Sequence, residues 1–290
     1  MGLLDAAALR VLEGLHLRLR PRTAGVLQGE HRSEAVASGV EFVDHRPYVP
    51  GDDVRHLDWR AWGRTRQLIL RTFQEERELR VYVLIDRSGS MTRSEPPKAL
   101  CAQRLAAAFG FLALKHADPV TLVPFAQGCD GPSPPARGRP GLPVLEAFLG
   151  GVQVQGETDF DATVRAFLGR YAGRGLVVVL SDYMAPVAWG EGLRRLSRAG
   201  HQVHAVRVGC REDSSPAFQG ELELSDAETG EKVRVTASRS LLAAYAQEVR
   251  AHLDGCREAC VRAGGSWCEV SAEWDSPRLV RAALTGLAEA

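Results

Sequence analysis

The sequence predicts an α/β protein: a doubly wound, mainly parallel sheet with an N-terminal β-rich extension and a C-terminal hairpin plus helices. Three observations predict it. From residue 81 onward strand-like and helix-like blocks alternate, as βα units around a parallel sheet do. The runs that begin these blocks, "VYVLID" (81–86), "VTLVPFA" (120–126) and "GLVVVLSD" (175–182), are nearly unbroken in apolar residues, as strands covered on both faces are. After residue 209 the pattern changes to alternating polar and apolar residues in "ELELSDAETGEKVRVTA" (221–237), which reads as a solvent-facing hairpin turning at Glu228-Thr229-Gly230.

The elements follow in order. Residues 1–24 form an amphipathic helix with Leu4, Ala8, Val11, Leu12 and Leu15 on one face, expected to dock on its own domain. Its charges, Asp5, Arg10, Glu13, Arg18 and Arg20, exclude a membrane span and leave only peripheral membrane association open. Residues 25–80 make an extension packed on the core, with short extended runs, a Pro-Gly-Asp-Asp turn and arginines interleaved with acids and tryptophans. Ion pairs within the chain account for that mixture better than nucleic-acid stacking does. The core occupies 81–209. Its first strand leads into a long helix at 98–117, a strand at 120–126, a Pro- and Gly-rich loop at 128–141 expected to be mobile, and helices at 142–149 and from about 159. A strand at 175–182, a helix at 189–199 and a strand at 201–209 complete it. Residues 210–290 complete the same domain with the hairpin, a helix at 239–263, a strand at 267–271 and a helix at 276–288.

Composition narrows the function. Of 290 residues, 45% are hydrophobic and 25% charged, which is ordinary for a globular protein, and 36 basic residues balance 36 acidic ones. No global field recruits nucleic acid or an anionic membrane. With no signal peptide to read, the expected compartment is the cytoplasm, and the six cysteines are expected to be reduced. His252, Cys256 and Cys260 share a helix face ahead of Cys268, but no Cys-x-x-Cys knuckle accompanies them, so buried thiols are the better reading than zinc.

The stretch "LIDRSGSM" carries the chemistry. Asp86 falls at the carboxyl end of a buried strand, where open α/β sheets bind ligands, and Asp86, Ser88 and Ser90 supply three hard oxygen donors in five residues. Three uses compete. A phosphoryl-accepting aspartate of the haloacid-dehalogenase kind needs an acid two residues on, where Ser88 stands. A serine nucleophile needs a Gly-x-Ser-x-Gly elbow and a histidine base, yet the flanks lack the glycines, and His201 and His204 start or lie inside a strand. A magnesium site built from three loops needs further oxygen ligands at neighbouring strand ends, and Thr158 in "GETDF" and Asp182 in "VVVLSDY" meet that need.

The set Asp86, Ser88, Ser90, Thr158 and Asp182 resembles the metal ion dependent adhesion site of von Willebrand factor A domains, in order and in loop context. The preceding segment sharpens the likeness. His-Arg-Ser at 31–33, Glu-Phe at 41–42, Arg-Pro-Tyr at 46–48, Pro-Gly-Asp-Asp at 50–53, Asp-Trp-Arg at 58–60 and Glu-Glu-Arg at 75–77 resemble the bacterial family known as domain of unknown function 58, as does "LSDAETGEK" (224–232). "GCREDSS" (209–215) is less acidic than that pattern. The resemblance implies a von Willebrand factor A-like, Rossmann-like core, and as partner a MoxR-type AAA+ ATPase or its client in complex assembly or maturation.

Magnesium takes six oxygen ligands, and Mn2+ or Ca2+ can take its place on such donors. Hydroxyls with only two carboxylates leave the ion electrophilic and one position open, so the expected function is capture of a partner's Asp or Glu side chain. No catalysis is expected. The alternative is a magnesium-dependent phosphotransferase or hydrolase using Asp86. Replacing Asp86 or Asp182 by alanine is expected to remove metal and leave the fold intact, because a solvent-facing strand end carries little packing.

Overall fold

Six consecutive buried residues in each of Val81–Asp86, Val120–Phe125 and Leu176–Ser181 are what strands shielded on both faces require. The computed structural model describes residues 2–17, 40–49, 54, 57–75, 79–171, 173–216, 218 and 220–289. Two compact units divide the chain: Met1–Pro21 together with Leu79–Ala290, and Arg22–Glu78.

The first unit begins with α1 (Ala6–Glu13), whose N-terminus is capped by the Asp5 carboxylate accepting from the Ala8 amide at 2.7 Å. Ala8 and Leu12 are fully buried, and Leu4, Val11 and Leu15 pack against the same core, so the predicted apolar face docks on its own domain. The helix is shorter than expected. It stops at Gly14, and β1 (His16–Leu17) pairs with the far end of the chain; residues 18–24 lie outside the described residues.

The second unit contains β2 (Val40–Pro47), α2 (Trp59–Thr65) and β3 (Ile69–Glu75). The two strands are antiparallel. Asp58 caps α2 by accepting from the Arg60 and Ala61 amides, and the Arg66 guanidinium stands 4.9 Å from the Trp62 ring centroid.

Continuing the first unit, β4 (Val81–Asp86), α3 (Lys98–Lys115), β5 (Val120–Phe125), α4 (Leu142–Gly150), α5 (Phe160–Arg170), β6 (Leu176–Ser181), α6 (Trp189–Arg198) and β7 (Gln202–Gly209) follow the predicted alternation. Then come α7 (Arg211–Ser214), the hairpin β8 (Gly220–Ser225) and β9 (Lys232–Ala237), α8 (Arg239–Arg262), β10 (Ser266–Ser271), α9 (Ser276–Ala283) and β11 (Ala288–Glu289). Five strands form one parallel sheet in the order β10-β7-β6-β4-β5. From β4 the chain moves outward to β5 and then returns across β4 to β6. That reversal opens a crevice at the carboxyl ends of β4 and β6. Strand alternation supplies two cores, Val81, Val83 and Ile85 facing α1, α3 and α9, and Tyr82 and Leu84 facing α5, α6 and α8.

Two expectations are corrected. The 128–141 loop is tied down along the outer edge of β5: the Ser133 amide donates to the Leu122 carbonyl at 2.8 Å, and Ala136 and Val120 exchange two bonds of 2.9 Å. An edge strand offers unpaired amides and carbonyls, and a proline-rich segment can satisfy some of them without continuing a ladder. The last helix ends at Ala283 rather than 288, because Ala288 and Glu289 extend to pair with Leu17 and His16.

Candidate metal and ligand site

Asp86 ends β4 in the crevice, but it is only 1% exposed, and Asp182 beyond β6 likewise. The expectation of a solvent-facing strand end therefore fails for both carboxylates. Asp86 is oriented on each oxygen: Oδ1 accepts from the Ser88 amide at 2.9 Å and Oδ2 from the Ser181 hydroxyl at 2.6 Å. Burial, reinforced by the charge of Asp182, pushes its carboxyl up to about 7. Ser88 and Ser90 share a hydrogen bond of 3.1 Å between their hydroxyls.

Asp182 holds a partner that the sequence reading missed. Lys98, at the start of α3, is 2% exposed and places Nζ 2.5 Å from Asp182 Oδ2 and 3.2 Å from Asp213 Oδ1. Burial alone would pull the ammonium pKa down, but Asp182 and then Asp213 more than reverse this, leaving it raised. Asp213 also accepts from the Cys210 amide at 3.0 Å, so the "GCREDSS" stretch serves the buried ion pair through its one inward acid. A signal for Lys98 existed: it stands four and seven residues ahead of Ala102 and Leu105, on the stripe that a helix buries.

The turn after β6 is held by force of packing. Tyr183 adopts φ 58, unusual for a bulky side chain, and is fully buried with its ring 4.5 Å from Trp189 and 4.7 Å from Trp267. Its carbonyl bonds His252 Nε2 at 2.7 Å, while the Met184 amide donates to Asp182 Oδ1 at 3.0 Å. His252 thus braces the site loop. Cys256 and Cys260 beside it are buried in the core, with burial holding their thiols up at about 11 and about 12. Among the described residues no group of three or more His, Cys, Asp or Glu side chains is arranged to hold a metal ion.

Thr158 comes from the loop between α4 and α5. That loop is stitched to the first one by the Gly89 amide donating to the Gly156 carbonyl at 2.9 Å and the Gln155 amide to the Arg87 carbonyl at 2.7 Å. Gly156 has φ +93, a conformation that favours glycine. Thr158 Oγ1 is buried without a hydrogen-bond partner. A fourth segment, unforeseen in the sequence, reaches the same place: the half-buried carboxyl of Glu228, in the β8–β9 turn, has its pKa raised by burial and lowered in part by the neighbouring Ser88, Thr158 backbone and Ser90. The Thr158 loop is therefore joined to the loop of Ser88 and Ser90, and the charge of Asp182 acts on Asp86 beside them. An all-oxygen donor set containing an orphaned buried hydroxyl fits a hard divalent cation. Most of the donors in this set are hydroxyls rather than carboxylates, imidazoles or thiolates.

His201 and His204 stand apart from this chemistry. His201 precedes β7 at the opposite end of the sheet, and His204 is fully buried, with Nδ1 2.7 Å from Ser266 Oγ and Nε2 2.7 Å from the Ala283 carbonyl oxygen.

A family model described as protein of unknown function DUF58 matches residues 44–254. Uncharacterized proteins from Mycobacterium tuberculosis and Mycobacterium bovis are 29% identical over 262 residues, which covers 85% of this chain and 78% of theirs. Among solved structures, an aerotolerance-related membrane protein from Bacteroides fragilis aligns with TM-score 0.48 at 17% identity, over 71% of this chain and 97% of that one. The conserved hypothetical protein BatB from Bacteroides thetaiotaomicron gives 0.45 at 14%, with the same coverage. No helix among the described residues is long and apolar enough to cross a membrane.

Proposed function

This chain belongs to the DUF58 family, and from its site we propose that it is a metal-dependent protein-binding module of the adhesion-site type, which captures an acidic side chain of a partner. The observation that carries the reading is the orphaned, buried Thr158 hydroxyl on a loop hydrogen-bonded to the one that bears the Ser88–Ser90 hydroxyl pair, beside a buried Asp86. Ser88, Ser90, Thr158, Asp86 and Asp182 would hold Mg2+, or Mn2+ or Ca2+ in its stead. The bound ion would supply Lewis acidity toward one carboxylate oxygen. The chain's own part is to orient Asp86 through Ser88 and Ser181, to fix Asp182 through Lys98 and Met184, and to tie the Thr158 loop to the serine loop. The motifs at 31–77 support a MoxR-type AAA+ ATPase or its client as the partner, and six unpaired thiols suit a cytoplasmic setting.

The phosphotransferase alternative finds less support. It needs an acid two residues beyond Asp86 to protonate the leaving oxygen, and Ser88 stands there. Calorimetric titration of Mg2+ into wild type and Asp86→Asn tests the proposal. Uptake of one equivalent by wild type and none by the variant is expected; equal uptake by the two, or none by either, refutes the assignment.

A further inference from the structure

A two-stranded ribbon is marginal in water unless something holds it, and β8–β9 leaves its apolar face largely in solvent: Leu224 and Val233 are exposed, and Leu222 and Val235 only partly covered. Its tip, however, is well organised. Asp226 Oδ1 accepts from the Glu228 and Thr229 amides at 2.7 and 2.8 Å, and Gly230 closes the turn with φ +73. The tip holds one half-buried side chain, Glu228, next to the Ala227 backbone that packs on Gly89, and its carboxylate lies beside Ser88, Ser90 and the Thr158 backbone. Two further contacts seat the ribbon there. Arg93, just beyond the serine loop, donates to the Ser225 carbonyl at 3.1 Å. Gly89, between the two serines, admits the Ala227 backbone: a Cβ at position 89 would lie 3.0 Å from the Ala227 carbonyl carbon and closer still to its oxygen. The glycine in "RSGSM" is therefore required by the approach of the hairpin.

We infer that Glu228 is the site's own acidic ligand, so that the β8–β9 hairpin closes the site in cis and a partner carboxylate binds only by displacing it. This rests on the metal reading above and specifies how that site is regulated. A carboxylate seated beside the serine pair and the Thr158 backbone stands where an incoming Asp or Glu would have to stand. Glu228 is half-buried rather than sealed, and the apolar face of its hairpin belongs to neither core, so exchange for a partner's acid requires no unfolding of the core. The ligand that opens the site is then a carboxylate on a projecting turn or loop of the partner.

Water-proton relaxation during titration with Mn2+ tests this on the full chain, with sodium acetate as the competing carboxylate. In wild type Glu228 fills a coordination position, and acetate is expected to change little. Glu228→Gln should admit roughly one more inner-sphere water to a six-coordinate ion, raising the bound-ion relaxation on the order of 1.5-fold, and acetate should reverse that gain. Gly89→Ala should act in the same direction by lifting the hairpin, with faster amide exchange at 226–230. Equal relaxation and equal acetate response in wild type and Glu228→Gln, with Mn2+ bound to both, overturn the self-ligand proposal and leave the metal site standing. Absence of Mn2+ uptake by wild type overturns both.

Discussion

Replacing Lys98 by methionine keeps the volume of the side chain and removes its charge. The ammonium lies 2.5 Å from Asp182 and 3.2 Å from Asp213, and the three side chains are 2%, 2% and 8% exposed, so solvent cannot take over its role. Removing one partner of a buried pair leaves an uncompensated charge and costs about 3–5 kcal/mol. Arg207, 3.5 Å from Asp213, relieves part of this on one side only. Against a domain stability of about 5–15 kcal/mol the loss is large, and it lowers the melting temperature by roughly 10 °C. A divalent cation beside Asp182 supplies the missing positive charge, so Mg2+ is expected to stabilise Lys98→Met more than wild type. Urea unfolding in EDTA and in saturating Mg2+ measures both effects. A metal-free variant within about 1 kcal/mol of wild type would show that the pair adds nothing over its desolvation cost, and an equal gain from Mg2+ in the two proteins would show that Lys98 and the metal do not share Asp182.

Two further outcomes follow from the same geometry. Asp86 titrates near 7 when folded against 3.8 as its ordinary value, raised by burial and then by Asp182; its contribution to stability is complete below pH 3.8 and lost as pH rises through about 7. The metal-free protein is therefore expected to lose up to roughly 4 kcal/mol over that window relative to Asp86→Asn. Unfolding curves between pH 4.5 and 7.5 check this, and parallel profiles for the two proteins refute it. Gly156→Ala forces a side chain into φ +93 with Ala126 Cβ as its nearest neighbour at 3.6 Å, so strain rather than collision sets a cost of about 1–2 kcal/mol. Because Thr158 is two residues on, Mn2+ affinity should fall as well, and a variant unchanged in both stability and affinity contradicts that placement.

What the sequence disclosed was local. Unbroken apolar runs located β4, β5 and β6 to within a residue or two, and the oxygen donors after β4 and β6 stand where their spacing put them, because a strand's end and the turn after it are separated by only a few bonds. Positions set by distant packing were not legible. The shared helix face of His252 and Cys256 read as buried thiols rather than zinc, but nothing in it showed that the imidazole braces the Tyr183 carbonyl from 69 residues away. The turn chemistry of Asp226 through Gly230 could be read, but not its destination, since the alternation of Leu222, Leu224, Val233 and Val235 marks one face of the hairpin without naming what the turn reaches. Lys98 had its helical spacing, and only the fold brings Asp182 and Asp213 to it.

Those distant groups also change the electrostatic argument. Counting Asp86 and Asp182 alone gives two negative charges at the site, and a third carboxylate arriving there would be repelled. Lys98 offsets Asp182 at 2.5 Å, and burial keeps Asp86 substantially protonated below pH 7. Glu228 can therefore lie beside the serine pair and the Thr158 backbone before any cation is present, as it does here. A cation entering the site must draw the proton from Asp86, which raises the negative charge that holds it. At the same time it repels Lys98, pressing that ammonium toward Asp213 and α7. The residues that make the site tolerant of its own hairpin are thus the same ones that a bound metal would disturb.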